Sequence, residues 1–311
     1  MKTKVSIAIP VKNEYENIPE LVSCISRLLS NQRFNNIDFE VLINNNASVD
    51  GSWDLLKKWA DSDQRVKVSN LTNELSFQET IQDMMRKATG DAFTIYQSDH
   101  QDPIEVLFKF IELWLDKPQI IVGVIDKRSG GLFSNLVRKM FYFSLNKFSD
   151  GNFINNFQDF YLLPRAIYKK IALLPSNGLF IRGYISSNFT DITIIKYNRN
   201  PRKKGKTNFN TNKKYSLAMD GLLLYGSKFI RKIAQISFVI FLVSLVSIFT
   251  ILTTYLFGVK ASVNGWASLA AILMLLISLL SLTLGIILEY LIRIYKVVYF
   301  HNLSQNDCNE K

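Results

Sequence analysis

VSIAIPVKNEYENIPELVSCISRLL, residues 5–29, opens on a short apolar run, breaks at Pro10 into a polar stretch, and resumes as an apolar stripe. The first run reads as a buried strand over residues 5–10. In the second part Ile18, Leu21, Val22, Ile25, Leu28 and Leu29 recur at helical spacing, so residues 17–29 read as a helix with one face turned to a core. Strand, polar loop and helix in that order make the first unit of an α/β fold.

The pattern repeats outward. Residues 39–43 read as a second strand, and residues 50–60 as a helix opened by an acidic cap and carrying Trp53, Leu55, Leu56 and Trp59. Residues 66–68 are a short strand, 79–88 a helix and 92–96 another strand. Asp102-Pro103 then opens a helix to about Leu115, and residues 120–124 form one more strand. Strands separated by helices predict a mostly parallel sheet covered on both faces. In such sheets ligands sit beyond the carboxyl ends of the strands. That rule selects three polar loops: Pro10-Val11-Lys12-Asn13-Glu14, Asn44 to Asp50, and Gln97-Ser98-Asp99-His100-Gln101-Asp102. Collected at one edge they suit a polar, phosphorylated ligand, although Asn and Asp also serve as plain turn residues.

The C-terminal third is different. Residues 233–257 and 261–288 carry no charge, and either run is long enough to cross a bilayer core of ~30 Å. A buried hairpin of core helices is the alternative, disfavoured because soluble helices rarely stay uncharged on every face for so long. Lys228, Arg231 and Lys232 precede the first run, and Arg293 and Lys296 follow the second. The positive-inside rule then places both termini in the cytoplasm. The apolar run at residues 5–9 is too short for a secretory segment, which agrees. The organisation expected is a cytoplasmic α/β domain at 1–195, a basic juxtamembrane segment at 196–232 and spans at 233–257 and 266–290. An outside loop at 258–265 joins the spans, and a cytoplasmic tail follows at 291–311.

The net charge of +11 is local. Residues 196–232 hold 11 basic residues and one acid, whereas residues 1–195 hold 22 of each. A basic belt beside a span favours anionic lipid or a lipid phosphate over nucleic acid. The two cysteines, Cys24 and Cys308, suggest neither a disulfide framework nor a cysteine metal site. Residues 215–230 mix apolar side chains with few charges and suit a segment lying along the membrane interface, or an ordinary connecting helix.

Asp99 and Gln101, two apart at a strand end, point one way and suit a divalent ion that also meets a diphosphate. No P-loop, GxGxxG, HExxH or nucleophile elbow is present. VSIAIPVKNEYENI (5–18), NNASVDGS (45–52) and SDHQDPIE (98–105) resemble the successive signatures of family 2 glycosyltransferases, in particular the polyprenyl-phosphate branch. FYFSLNKFSD (141–150), DFYLLPRAIY (159–168), RGY (182–184) and RNPRKKGKTNF (199–209) fit the same branch.

The resemblance implies a GT-A fold, a nucleoside diphosphate sugar donor, Mg²⁺ or Mn²⁺, and inversion at the anomeric carbon. It implies nucleotide-sugar contacts from Pro10, Val11, Asn13, Glu14, Asn45, Asn46, Ser98 and Asp99, with metal held by Asp99 and Gln101. Arg202, Gly205, Lys206 and Thr207 match a basic loop over the donor and acceptor phosphates. Arg128, Lys139, Arg182 and Arg199 complete the phosphate- and acceptor-binding candidates. UDP is preferred over GDP because bacterial-style relatives lean that way. Gln97 occupies the first position of the family's usual acidic pair, which lowers the negative charge of the metal loop.

A polyprenyl phosphate is largely ionised at neutral pH, so it attacks with little help, and catalysis reduces to positioning and charge stabilisation. Were a base used, Asp159 would come first and Asp102 second, with Arg202 completing the catalytic set. The plainer readings are an Asp159 paired with an arginine and an Asp102 that caps a helix. Competing functions are transfer to another membrane glycolipid or polysaccharide, and a silent sugar-binding scaffold. Family analogy adds a homo-oligomer as an expectation.

Overall fold

The computed structural model describes residues 2–126, 153–176, 179–201, 227–257 and 266–307. Seven strands form one sheet: β1 (Thr3–Val11), β2 (Ile37–Asn46), β3 (Val66–Leu71), β4 (Ala92–Ile95), β5 (Ile120–Ile125), β6 (Phe157–Pro164) and β7 (Ile192–Tyr197). Their order is β3-β2-β1-β4-β6-β5-β7. All neighbours run parallel except β6, which lies antiparallel between β4 and β5.

Side-chain alternation divides the core in two. Val5, Ile7, Ile9, Val41 and Ile43 face α1 (Ile18–Leu29), α2 (Ser52–Ser62) and α4 (Ile104–Asp116). Ala8, Leu42, Phe93 and Ile95 face α3 (Phe77–Lys87), α5 (Arg165–Ala172) and α6 (Ile181–Asn188). Both faces are covered, as a parallel sheet requires.

The elements differ from the sequence reading at informative points. Asn44, Asn45 and Asn46 are not a loop beyond β2 but its last residues, paired in register with Ser69, Asn70 and Leu71 of β3. Helix α2 begins at Ser52, after Gly51 in the left-handed region at φ 83°, so Asp50 is not its cap. Asp50 instead accepts from the Ser52 amide at 3.0 Å and the Tyr15 amide at 3.0 Å, fixing the turn from outside. Helix α3 starts at Phe77 because Ser76 and Glu79 form a reciprocal capping box. The strand β6, helices α5 and α6, and strand β7 lie where the sequence pattern set no elements.

At the edge away from the candidate site, Glu40 is buried and bonded to the Ser6 hydroxyl at 2.6 Å and to the Thr89 amide and hydroxyl at 2.6 and 2.9 Å. Burial pushes its pKa up, but these bonds and Lys4 outweigh it and lower the carboxyl from 4.5 to about 2. A depressed carboxylate contributes stability above its unfolded value and loses it as pH falls toward the folded one. The contribution, on the order of 3 kcal/mol, is therefore expected to disappear between pH 4.5 and about 2. Thermal unfolding of the detergent-solubilised chain against pH checks this. Glu40→Gln should flatten the acid-side slope, and an unchanged slope would refute the assignment.

Two long helices close the chain, α7 (Ser227–Leu256) and α8 (Trp266–Asp307). They contain apolar segments Ala234–Thr254 and Ser268–Leu291, of mean hydropathy 2.6 and 2.7, long and apolar enough to cross a membrane. They pack closely at Gly285, where an added Cβ would stand 3.2 Å from the Ser237 Cβ and 3.4 Å from the Ala234 Cα. Arg231 pairs with Glu289 at 3.9 Å. Apolar side chains such as Val246, Phe249 and Leu280 point outward, unlike those of a soluble core hairpin. Helix α8 continues past position 290 to Asp307.

Candidate active site

The sheet topology brings the ends of β1, β2, β4, β5 and β7 to one edge. Because β6 runs the other way, its beginning lies there too, with Val124 of β5 opposite Phe157. Two chain reversals are in the left-handed region, at Asn13 (φ 53°) and Ala47 (φ 51°). Asn13 earns that conformation: its amide donates to the Ser48 hydroxyl at 2.9 Å, and its side-chain oxygen accepts from the Val49 amide at 2.9 Å. The Glu14 amide donates to the Ser52 hydroxyl at 3.2 Å, and Glu14 also accepts from Asn17. The β1 loop is thus fastened to the segment after β2.

The three asparagines are structural as well as polar. Asn46 clamps the backbone of Leu75 from both sides, at 2.8 and 2.9 Å. Asn45 donates to Asn70 at 2.7 Å, and Asn44 to Asp83 at 2.8 Å. The Asn45 side-chain oxygen is buried with no hydrogen-bond partner among the described residues, leaving an acceptor at the sheet edge.

Beyond β4, the Ser98 hydroxyl donates to the Pro10 carbonyl at 3.4 Å, which joins the β4 loop to the β1 loop. His100, in the left-handed region at φ 55°, meets the Asn17 carbonyl at 3.1 Å through its Nε2. Asp99 accepts from the Gln101 amide at 3.2 Å. Asp102 does not cap α4; Pro103 holds that place. The Asp102 carboxylate is 1% exposed and accepts from the Tyr197 hydroxyl at 2.6 Å and Arg199 Nε at 3.1 Å, both on Oδ1. Its acidity is weakened, burial outweighing the opposing pull of Arg199 and Tyr197.

Asp159 lies in strand β6 rather than a loop. Its Oδ2 is 3.4 Å from Arg182 Nε on α6, and its Oδ1 accepts from Gln78 on α3 at 3.2 Å. Arg182 also donates to the Phe157 carbonyl at 3.0 Å, so its charge is committed to holding Asp159 and the start of β6. Gln78 and Tyr197 carried no signal in the sequence: Gln78 falls just before the helix read at 79–88, and Tyr197 in a stretch where no element was set. Arg128, Lys139, Arg202, Lys206, Thr207 and residues 215–226 lie outside the described residues.

Asp99 fits a divalent metal in one specific way. Among the described residues no group of three or more His, Cys, Asp or Glu could hold an ion by itself. One carboxylate leaves most of an octahedral shell to phosphate oxygens and water, the arrangement Mg²⁺ favours. The site thus presents hydrogen-bonding groups from β1 and β2, the Asp99 carboxylate beyond β4, and the Asp159 carboxylate held by Arg182 and Gln78.

The fold is a GT-A-like, mostly parallel α/β domain followed by two candidate membrane helices. The profile of glycosyl transferase family 2 matches residues 6–172, and the chain belongs to that family. It is 29% identical to the uncharacterized glycosyltransferase YkcC of Bacillus subtilis over 291 residues, 93% of this chain and 89% of that one. It is 28% identical over 94% of both chains to the prophage bactoprenol glucosyl transferase homolog of Escherichia coli. The bactoprenol glucosyl transferase of Shigella phage SfV is equally similar, at 28% over 94% of both chains. Among solved structures, the fold is shared with mannosyl-3-phosphoglycerate synthase from Rubrobacter xylanophilus at a TM-score of 0.52 and 12% identity, covering 70% of this chain and 71% of that one. Glucosyl-3-phosphoglycerate synthase from Mycobacterium tuberculosis, solved with Mn²⁺ and UDP, superposes at 0.50 with 14% identity, covering 71% and 78%.

Proposed function

We propose that this enzyme transfers a sugar from a nucleoside diphosphate sugar, UDP in preference to GDP, to a polyprenyl phosphate, with inversion. The observation that carries the reading is the similarity to bactoprenol glucosyl transferases over 94% of both chains. That span takes in the sheet domain and both apolar helices. An acceptor anchored in a bilayer explains why a transferase domain is followed by segments able to cross one.

In this mechanism a phosphate oxygen of the lipid attacks the anomeric carbon from the face opposite the donor diphosphate. The bond from that carbon to the diphosphate breaks, and its electron pair leaves on the diphosphate oxygen. Mg²⁺ or Mn²⁺, which Asp99 with Gln101 would hold, supplies positive charge to the departing diphosphate. Pro10, Val11, Asn13, Glu14, Asn45, Asn46 and Ser98 would orient the nucleoside at the sheet edge. Asp159, held by Arg182 and Gln78, would steer the acceptor or take a proton. The basic segment 196–232 would meet the lipid phosphate beside the membrane, with residues 1–195 and both termini on the cytoplasmic side.

Purified protein incubated with undecaprenyl phosphate, Mg²⁺ or Mn²⁺ and radiolabelled UDP- and GDP-sugars tests the reading. Label entering the lipid phase with one donor, and lost on chelation, is expected. Nucleotide binding without any lipid product would reject the acceptor.

A further inference from the structure

Gln78 lies buried in the first turn of α3 and its side chain has two partners. Nε2 donates to Asp159 Oδ1 on β6 at 3.2 Å, and Oε1 accepts from the Ile181 amide at 3.4 Å. Ile181 opens α6, where the first amides of a helix have no acceptor within it. A backbone amide can only donate and a carboxylate only accept, so the Gln78 oxygen faces Ile181 and its nitrogen faces Asp159. The two partners thereby fix which way the side-chain amide is turned.

Asp159 has little else to define its plane. Arg182 brings a charge to Oδ2 at 3.4 Å, yet its Nε makes no hydrogen bond among the described residues, and its Nη1 donates to the Phe157 carbonyl. Tyr161, two residues on and on the same face of β6, is buried with its hydroxyl also unpartnered among the described residues. A charge attracts without fixing direction, whereas a hydrogen bond weakens steeply when bent. Among the described residues the bond from Gln78 is the one directional contact on this carboxylate.

The placement of Gln78 begins at the far side of the site. Asn46, the last residue of β2, holds the Leu75 backbone by bonds of 2.8 and 2.9 Å, and Ser76 with Glu79 then starts α3. Strands β1 and β4 separate β2 from β6 in the sheet, and α3 carries Gln78 across that gap. Gln82, one turn further along α3, does something different. It donates to the Ile171 and Leu174 carbonyls at 3.1 and 2.6 Å and accepts from the Ser176 hydroxyl at 2.6 Å, all away from Asp159.

We propose that Gln78 is the positioning residue of the Asp159 carboxylate and sets the direction in which that group meets the acceptor. The inference rests on Asp159 serving the acceptor, as proposed above. Turning a carboxylate about its own axis carries its oxygens by on the order of 1 Å, the scale on which a misplaced group loses about 100-fold in rate. Gln78 itself touches no reacting atom.

Gln78→Glu separates this role from a purely structural one. The introduced carboxylate still accepts from the Ile181 amide, and negative charge is favoured in the first turn of a helix. Only the donor to Asp159 is lost, and a like charge replaces it. Transfer from a labelled nucleotide sugar to undecaprenyl phosphate, by the full-length protein in detergent, is expected to fall about 100-fold in kcat. The KM for the lipid phosphate should rise, while that for the nucleotide sugar stays within about threefold of the parent. Gln78→Met removes the donor without adding charge and should lose about tenfold in kcat, which keeps the test open where the charged variant fails to fold. Gln82→Met loosens the same helix away from Asp159, so it should lower the melting midpoint and keep both parental KM values. Full turnover in Gln78→Glu or in Gln78→Met would overturn the inference. So would Gln82→Met reproducing the same split between kcat and the two KM values. Full turnover in Asp159→Asn would overturn the role of Asp159 and the inference with it, leaving lipid transfer standing. A parent that moves no label to the lipid would overturn the proposed function and the inference together.

Discussion

Asp99→Asn is expected to reduce sugar transfer by about 100- to 1,000-fold while leaving the fold intact. Asparagine keeps the shape and still accepts from the Gln101 amide, the 3.2 Å bond that holds the loop. It removes the negative charge that, on the proposed reading, would offset a divalent ion. Among the described residues nothing nearby replaces it: Asp102 is buried and bound to Tyr197 and Arg199, and Gln97 is neutral. The loss should appear in kcat at saturating donor, and raising the metal concentration should not restore it fully. Initial-rate kinetics beside a thermal melt make the measurement. Turnover within about threefold of the parent, with the melt unchanged, would show that Asp99 is not the metal acid.

The second large effect is on stability. Phe160→Ala should destabilise the sheet domain by about 3–5 kcal/mol. Phe160 is fully buried on β6, and its ring meets Phe110 at 4.7 Å, Tyr197 at 5.6 Å and Tyr96 at 6.4 Å. Truncation opens a void between Tyr96, just past β4, and the strands carrying Asp159 and Tyr197. The backbone cannot close it easily, because a Cβ at Gly123 would already stand 2.9 Å from the Tyr197 ring and 3.1 Å from the Phe160 carbonyl. The melting midpoint should fall by on the order of 10 °C. Phe160→Leu should cost much less, since it keeps most of the volume. A shift of less than about 2 °C for the alanine variant would mean that the β4–β6–β5 region repacks freely. Activity at low temperature should then survive, which separates this variant from Asp99→Asn.

Much of the site was legible before any coordinates, because periodicity and loop position are local properties. The alternation of apolar runs set β1, α1, β2, α2, β3, α3, β4, α4 and β5 to within a few residues. The rule for parallel sheets then brought Asn13, Asn46 and Asp99 to one edge. The errors were at junctions. Asn44 to Asn46 look like a turn by composition, yet partners in β3 and α3 take up their side chains and keep the backbone extended. Asp50 looks like a helix cap, yet Gly51 turns the chain first.

The antiparallel strand β6 was hidden for a related reason. It is buried on both faces, so FQDFYLLP shows no clean alternation, and a single polar Asp159 does not announce a sheet edge. The resemblance offered Arg182 and Arg199 as phosphate-binding candidates, and the sequence carries no mark of the partners each finds in the fold. One of them is spent inside the fold on Asp159. The other is held by a carboxylate 97 positions earlier in the chain.

By itself the amino-acid sequence determined the class of fold, the two apolar helices, the basic belt and the polar loops after β1 and β4, since each depends on spacing along a few residues. Only the tertiary structure decided which charges are available for chemistry. Asp102, Asp159, Arg182 and Arg199 acquire their roles from partners distant in sequence. The state of a buried charge depends on what surrounds it in space, which no local pattern records.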